Sequence, residues 1–488
     1  MLEVLEFIRD ILQQPALLLG LVSCVGLVAL KKPFYKVMTG TLKPILGYIM
    51  LGCGAGFIVT NLDPLGKMIQ EGFHITGVVP NNEAIVSVAQ QLLGVETMSI
   101  LVVGLVVNLL IARFTKFKYV FLTGHHSFFM ACLLSAVLGT SGMIGVELIL
   151  CGGFLLGAWS AISPAIGQNY TNKVTDGDGV AMGHFGSLAY YISAWVGSKV
   201  GSPDDSTENI DIPEKWGFLR DTTVSTGLTM MFFYIVAAVA AGPEYVSTLS
   251  NGMSPILFAI MSGLQFAVGV TVVYSGVRMI LGDLIPAFEG ISNRVIPNAI
   301  PAVDCAVFFT YAPTAVVLGF VSSFIGGIIG MLILGVLGGV LIIPGMVPHF
   351  FCGATAGIYG NATGGKKGAM IGAFVNGLLI TFAPALLLPV LGSLGFQNTT
   401  FGDFDFGVLG IALGLVSNTL AQVGIFIVMA IFLLVLVVPN FMKTKNKVIN
   451  NTINQITDKH NQEILQNLII LHISLPSVQL LHSSMNQN

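Results

Sequence analysis

Charge is what this sequence lacks most. Only 9% of its 488 residues are Asp, Glu, Lys or Arg, where soluble domains carry about 25%. Such a chain is not a water-soluble globular domain, and no nucleic-acid partner is expected. The net charge of −3 rests on so few groups that it says nothing about partners. Cysteine is also sparse. Cys24, Cys53, Cys132, Cys151, Cys305 and Cys352 all lie in apolar surroundings and none forms a CxxC pair. They read as small packing residues, not as a disulfide framework or a metal set, so no metal and no cofactor is expected. The N-terminus has no basic region ahead of its apolar stretch and no clear cleavage site. It reads as a retained first helix, not a signal peptide.

Apolar sequence fills the space that charge leaves. The chain is 54% hydrophobic, with a mean hydropathy of +0.85. Uncharged runs such as Val321–Ile343 and Val408–Pro439 reach the length of about 20 residues that a helix needs to cross a bilayer. Fifty-eight glycines fit the same class, because glycine lets membrane helices approach closely.

The apolar text also repeats. Val78-Val79-Pro80-Asn81 returns as Val295-Ile296-Pro297-Asn298, His126-Ser127-Phe128-Phe129 as His349-Phe350-Phe351, and Thr175-Asp176-Gly177-Asp178-Gly179 as Gly402-Asp403-Phe404-Asp405-Phe406. The offsets are 217, 223 and 227 residues. Three matches in order at one long period indicate a duplicated unit, as in secondary transporters whose sites lie at the repeat interface.

Basic residues set the expected orientation. Lys31, Lys32, Lys36 and Lys43 follow a first helix over Pro15–Leu30, and Arg113, Lys116 and Lys118 close another. The positive-inside rule makes both clusters cytoplasmic and puts the N-terminus outside. A polar stretch, 202–221, reads as a cytoplasmic linker between halves. The second half then enters from the opposite side, so the repeats are inverted and each has an odd number of spans. The fold class is an all-α polytopic membrane protein of about eleven transmembrane helices: two inverted five-helix repeats plus a final helix, with broken or re-entrant segments. Residues 1–201 form the first repeat, 222–409 the second, 410–442 the final helix and 443–488 a cytoplasmic polar tail.

Polar groups in apolar runs are costly in a bilayer and therefore mark candidate sites. Gly124-His125-His126 stands at the start of a helix, Gly183-His184 in a Gly-rich segment, Asp304 in Ala302-Val303-Asp304-Cys305-Ala306, and Glu83 after Asn81-Asn82. The repeat alignment sets Ser87 against Asp304 and Asn82 against Ala299. It makes the two Pro-Asn segments paired broken helices whose free N–H groups suit a hydroxyl or an anionic oxygen. His126 and His349 read as packing histidines. Arg278, Asp283, Glu289 and Arg294 read as an interfacial network. Asp176 and Asp178, with Asp403 and Asp405, read as loop caps that could alternatively hold a cation. Gly360–Lys367 imitates a phosphate-binding loop, but Lys367 replaces its Ser/Thr and no βαβ unit surrounds it. Its lysines read as a cytoplasmic anchor.

Leu122-Thr123-Gly124-His125-His126, Val174-Thr175-Asp176-Gly177, Gly276-Val277-Arg278-Met279, Ala287-Phe288-Glu289-Gly290-Ile291-Ser292, Ala302-Val303-Asp304-Cys305-Ala306 and Ile342-Ile343-Pro344-Gly345 together resemble the ascorbate-type IIC permease of the bacterial sugar phosphotransferase system, over roughly residues 10–445. The resemblance implies a multi-pass protein of the bacterial cell membrane, a homodimer with inverted repeats, and an elevator-like core. It implies cytoplasmic IIB and IIA phosphocarrier subunits as partners, which phosphorylate the small-molecule substrate. It places the substrate against Asn82, Glu83, His125, Phe129, His184, Phe185 and Asp304. Ascorbate carriers of this type have glutamines near both Gly-His pairs, where this chain has Phe129 and Phe185. A phenylalanine cannot hydrogen-bond as an amide does, so the substrate class widens to small polyhydroxylated sugars and sugar acids. With no phosphoacceptor domain evident, phosphoryl chemistry is left to separate subunits. The competing reading is a proton- or sodium-coupled secondary transporter, with Asp304, Glu83 and the histidines as a proton relay.

Overall fold

The computed structural model describes residues 14–74, 77–80, 82–210, 218, 221–392 and 400–441. Its helices are α1 Pro15–Ala29, α2 Phe34–Gly72, α3 Asn82–Phe114, α4 Gly124–Thr140, α5 Gly145–Val174, α6 Ser187–Val200, α7 Thr222–Ala241, α8 Pro243–Leu249, α9 Pro255–Arg294, α10 Pro313–Val336, α11 Met346–Gly392 and α12 Phe404–Phe441. Three short strands, β1 Tyr119–Phe121, β2 Ala181–Met182 and β3 Ile300–Val303, interrupt them. Helix starts follow local chemistry. Proline occupies the first turn of α1, α9 and α10, where its missing N–H costs nothing. The Asp221 carboxylate caps α7 by accepting from Thr223 N and Val224 N.

Among the described residues, seven helices are long and apolar enough to cross a membrane, and eight if the α7–α8 pair, bent by 119°, counts as one span. Among the described residues this is fewer than the eleven separate crossings expected. Part of the difference is merging, because α11 and α12 each contain a non-helical residue, Gly365 (φ 58°) and Ala421 (φ 49°). The expected boundary at 409/410 falls inside the first part of α12. The basic cluster after the first helix is partly helical, because α2 begins at Phe34 and takes Lys36 and Lys43 into its first turns. The 443–488 tail lies outside the described residues. The described residues up to Leu436 pack as one unit, which does not include Val437–Phe441.

Glycine sets the packing. A Cβ on Gly276 of α9 would lie 2.6 Å from the carbonyl oxygen of Gly47 on α2, and one on Gly357 of α11 2.6 Å from Gly319 Cα on α10. Only bare backbone fits at these crossings.

The duplication is visible in element order. α9 begins 221 residues after α2, from Phe34 to Pro255, and α11 begins 222 after α4, from Gly124 to Met346. The halves also exchange backbone pairing. Val78, after α2, bridges Ile342, before α11; β3, after α9, pairs in parallel with β1, before α4. The hydrogen bonds correspond: Val78 N donates to Leu341 O (2.8 Å) and Ile300 N to Lys118 O (2.8 Å). On this register Asn82 corresponds to Asp304, 222 residues on, and not to Ala299. The Asp-x-Asp match is also corrected. Asp176 and Asp178 sit in the exposed turn after α5, where Asp178 accepts from the Tyr311 hydroxyl (3.0 Å). Asp403 and Asp405 are buried at the start of α12.

Candidate functional site

The three strands bring three polar segments together. β3 lies between β1 and β2, held by Leu122 N donating to Ala302 O (2.9 Å) and Gly183 N to Val303 O (2.7 Å). β1 runs directly into Gly124-His125-His126, β2 into Gly183-His184, and β3 into Asp304. A few residues of parallel pairing thus fix two histidine segments of the first half against an aspartate of the second.

His125 Nε2 lies 3.3 Å from Asp304 Oδ2. The other carboxylate oxygen, Oδ1, accepts from Ala306 N (3.1 Å) and caps the 3-10 turn Cys305–Thr310. With Nε2 facing a carboxylate, the His125 proton sits there. The Tyr48 hydroxyl, 3.1 Å from Nδ1, completes a Tyr48–His125–Asp304 chain. His184 Nδ1 accepts from Gly186 N (3.1 Å) and lies 2.9 Å from the Tyr190 hydroxyl. His126 Nδ1 accepts from Phe185 N (3.4 Å). The His126 and His184 rings are 3.7 Å apart between centroids.

These bonds decide the tautomers. A backbone N–H can only donate, so Nδ1 is the acceptor on both rings, and each neutral imidazole carries its proton on Nε2. His126, His184 and Asp403, and likewise His184, Asp304 and Cys305, hold ligand-type atoms within 4.8 Å of one another. A metal would need an imidazole lone pair. The one on Nδ1 is already used on both rings, and Nε2 carries the proton. The cluster is therefore built to donate N–H groups to oxygen atoms more than to ligate a cation.

Asn82, the first residue of α3, closes the opposite side. Its Nδ2 donates to Asp403 Oδ2 (2.8 Å), and its Oδ1 accepts from Gly402 N (2.8 Å). Cys352, read from sequence as mere packing, donates its thiol hydrogen to Asp403 Oδ1 (2.8 Å). A cavity of about 1350 Å³ touches Tyr48, Asn82, His125, His126, Phe129, His184, Asp304 and Asp403. Phe129, one turn beyond His125, gives it an apolar wall and meets that ring edge-on at 5.8 Å.

Five of the seven expected site residues therefore line one cavity. Phe185 does not: its ring is fully buried, stacked on Phe121 at 4.7 Å, and only its backbone serves the site, through His126. Glu83 lies in the first turn of α3, and its side chain is outside the described residues. His126 packs as expected, buried and stacked on Phe406 at 5.9 Å, and also borders the cavity. His349 does pack, against Phe324 and within 2.9 Å of the Ser323 hydroxyl. Asp403 was displaced from view by its false match to Asp176. Tyr48 gave no sequence signal at all. Of the supposed charge network, Asp283 pairs with Lys43 across α9 and α2 (3.3 Å), while Arg278 and Arg294 are exposed. Lys366, beside the Gly365 kink inside α11, pairs with Asp205 of the polar linker (2.9 Å).

Residues 10–405 match the family described as "PTS system sugar-specific permease component", EIIC-GAT. The chain is 28% identical over 448 residues to the ascorbate-specific PTS system EIIC component of Mycoplasma pneumoniae, covering 77% of this chain and 66% of that protein. It thus spans just under two thirds of that relative's length. It is also 28% identical over 233 residues to the ammonium transporter Amt2 of Methanocaldococcus jannaschii, covering 47% of this chain and 50% of that protein.

Proposed function

Because the chain belongs to the family of sugar-specific permease components of the phosphotransferase system, we propose that it carries ascorbate or a related small polyhydroxylated sugar or sugar acid across the cell membrane. The observation that carries this reading is the cavity where His125, His184 and Asp304 converge. Carboxylate oxygens accept from hydroxyl groups, and Nε2–H groups of His126 and His184 donate to hydroxyl or enolate oxygens. Phe129 offers a flat apolar face, suited to the C–H side of a sugar ring. The likeness to an ascorbate-specific component supports the substrate class.

IIB and IIA subunits are the proposed source of the phosphoryl group, and a homodimer the proposed assembly. Translocation is proposed to follow an elevator-type motion. The backbone pairing between halves at Val78–Ile342 and at β1–β3 supports movement of these segments as one body.

Uptake tests the coupling. In cells holding the phosphocarrier subunits, ascorbate should appear inside as its phosphate and only while phosphoenolpyruvate is available. Accumulation of free ascorbate by the purified protein in liposomes, driven by a proton or sodium gradient alone, would establish the secondary-transporter reading instead.

A further inference from the structure

We infer that one face of α2 is the route by which solute reaches the site, and that Gly52 and Gly56 hold this route open. The inference rests on the reading of the His125–Asp304 cavity as the substrate site. Tyr48, Gly52, Gly56, Asp63, Lys67 and Phe73 all border the same cavity. Their spacings of four, four, seven, four and six residues place them along one helical face. From Tyr48 at the site to Phe73 beyond the helix end, that stripe is about 37 Å long at 1.5 Å per residue. Apolar side chains of α7 and α10, including Phe233 and Phe324, face it across the cavity.

The glycines of α2 fall into two sets. Gly47 and Gly54 touch α9, where a Cβ would meet the backbone oxygens of Gly276 and Gly269 at 2.8 Å. Gly52 and Gly56 touch nothing: a Cβ at either position would have no atom within 4 Å. Glycine disfavours a helix relative to alanine, and no close helix crossing explains these two. Both lie where the cavity runs past α2, one and two turns from Tyr48. What they supply is width. The start of α2 carries Lys36 and Lys43, just after Lys31 and Lys32, which assigns that end to the cytoplasm. The far end of the route, by Lys67 and Phe73, then faces outside.

Thiol accessibility tests this without reference to any substrate. In a Cys53→Ser background, which removes the exposed native thiol of α2, Phe129→Cys should react with a small membrane-impermeant methanethiosulfonate added outside. Adding Gly56→Phe should slow that reaction at least tenfold, and adding Gly56→Ala should leave it within twofold. Gly56→Cys should itself be labelled from outside, which keeps the inference testable if Gly56→Phe does not fold. Equal modification of Phe129→Cys with and without Gly56→Phe, or no labelling of Gly56→Cys from outside, would overturn the route. Failure of the substrate reading shows separately, as ascorbate binding unaffected by Asp304→Asn in a protein whose route behaves as described.

Discussion

Asn82 and Asp403, 321 residues apart, are joined at 2.8 Å, and Asn82 returns a second bond by accepting from the backbone of Gly402. One side chain thus ties the first half of the chain to the second at the edge of the site. It occupies the position that Asp304 occupies in the other half. The duplicated unit has kept the place and changed the residue: an amide that clasps on one side, a carboxylate that faces His125 on the other.

Because the Asn82 amide uses both its donor and its acceptor, its replacements should rank in a set order. Asn82→Ala removes both bonds and leaves Asp403 short of a donor, at a cost of about 1–3 kcal/mol. Asn82→Asp should be worse, because two carboxylates would then face each other. Thermal unfolding of the purified protein checks this. Asn82→Asp at least as stable as Asn82→Ala would contradict the clasp.

The helix crossing at Gly47 and Gly276 should tolerate no side chain. A Cβ on Gly276 sits 2.6 Å from a backbone oxygen that cannot rotate away, so Gly276→Val should cost about 1–3 kcal/mol through overpacking. Gly52→Ala, with open space around its Cβ, should cost nothing. Detergent-resistant folding measured for the pair should separate them. Equal stability would mean that α2 and α9 cross elsewhere.

Orientation follows from the basic clusters. In a background without the exposed Cys53, an impermeant thiol reagent outside the cell should modify Glu3→Cys and spare Lys445→Cys. Both labelled, or neither, would defeat the proposed topology of N-terminus outside and C-terminus inside.

Much of this protein was legible before its structure. Spanning runs, scarce charge and the repeats come directly from the cost of polar groups in lipid, and Asp304, His125 and His184 stood out for the same reason. What was hidden depended on pairing between distant segments. The bond from Asn82 to Asp403 forms only where the halves cross, and a loosely matched Asp-x-Asp motif drew Asp403 and Asp405 towards an exposed turn. Asp405 instead caps α6, accepting from the Ser187 hydroxyl (2.8 Å) and Leu188 N (3.0 Å). Phe185 misled in the other direction. Its neighbour His184 reaches the cavity, and the next side chain along an irregular segment turns away into the core. The number of separate crossings was not legible from sequence alone, because periodicity does not distinguish two helices from one that bends, as at Gly365 and Ala421.

The most direct test of the account is equilibrium binding of ascorbate to purified protein carrying Asp304→Asn or His184→Ala. Losing one partner of a charge-assisted hydrogen bond costs about 1.5–3 kcal/mol, or roughly 10- to 150-fold in affinity. Each variant should therefore bind at least about tenfold more weakly while still eluting as a folded protein. Ascorbate bound by both variants with the parent's affinity would contradict the assignment of this cavity as the substrate site.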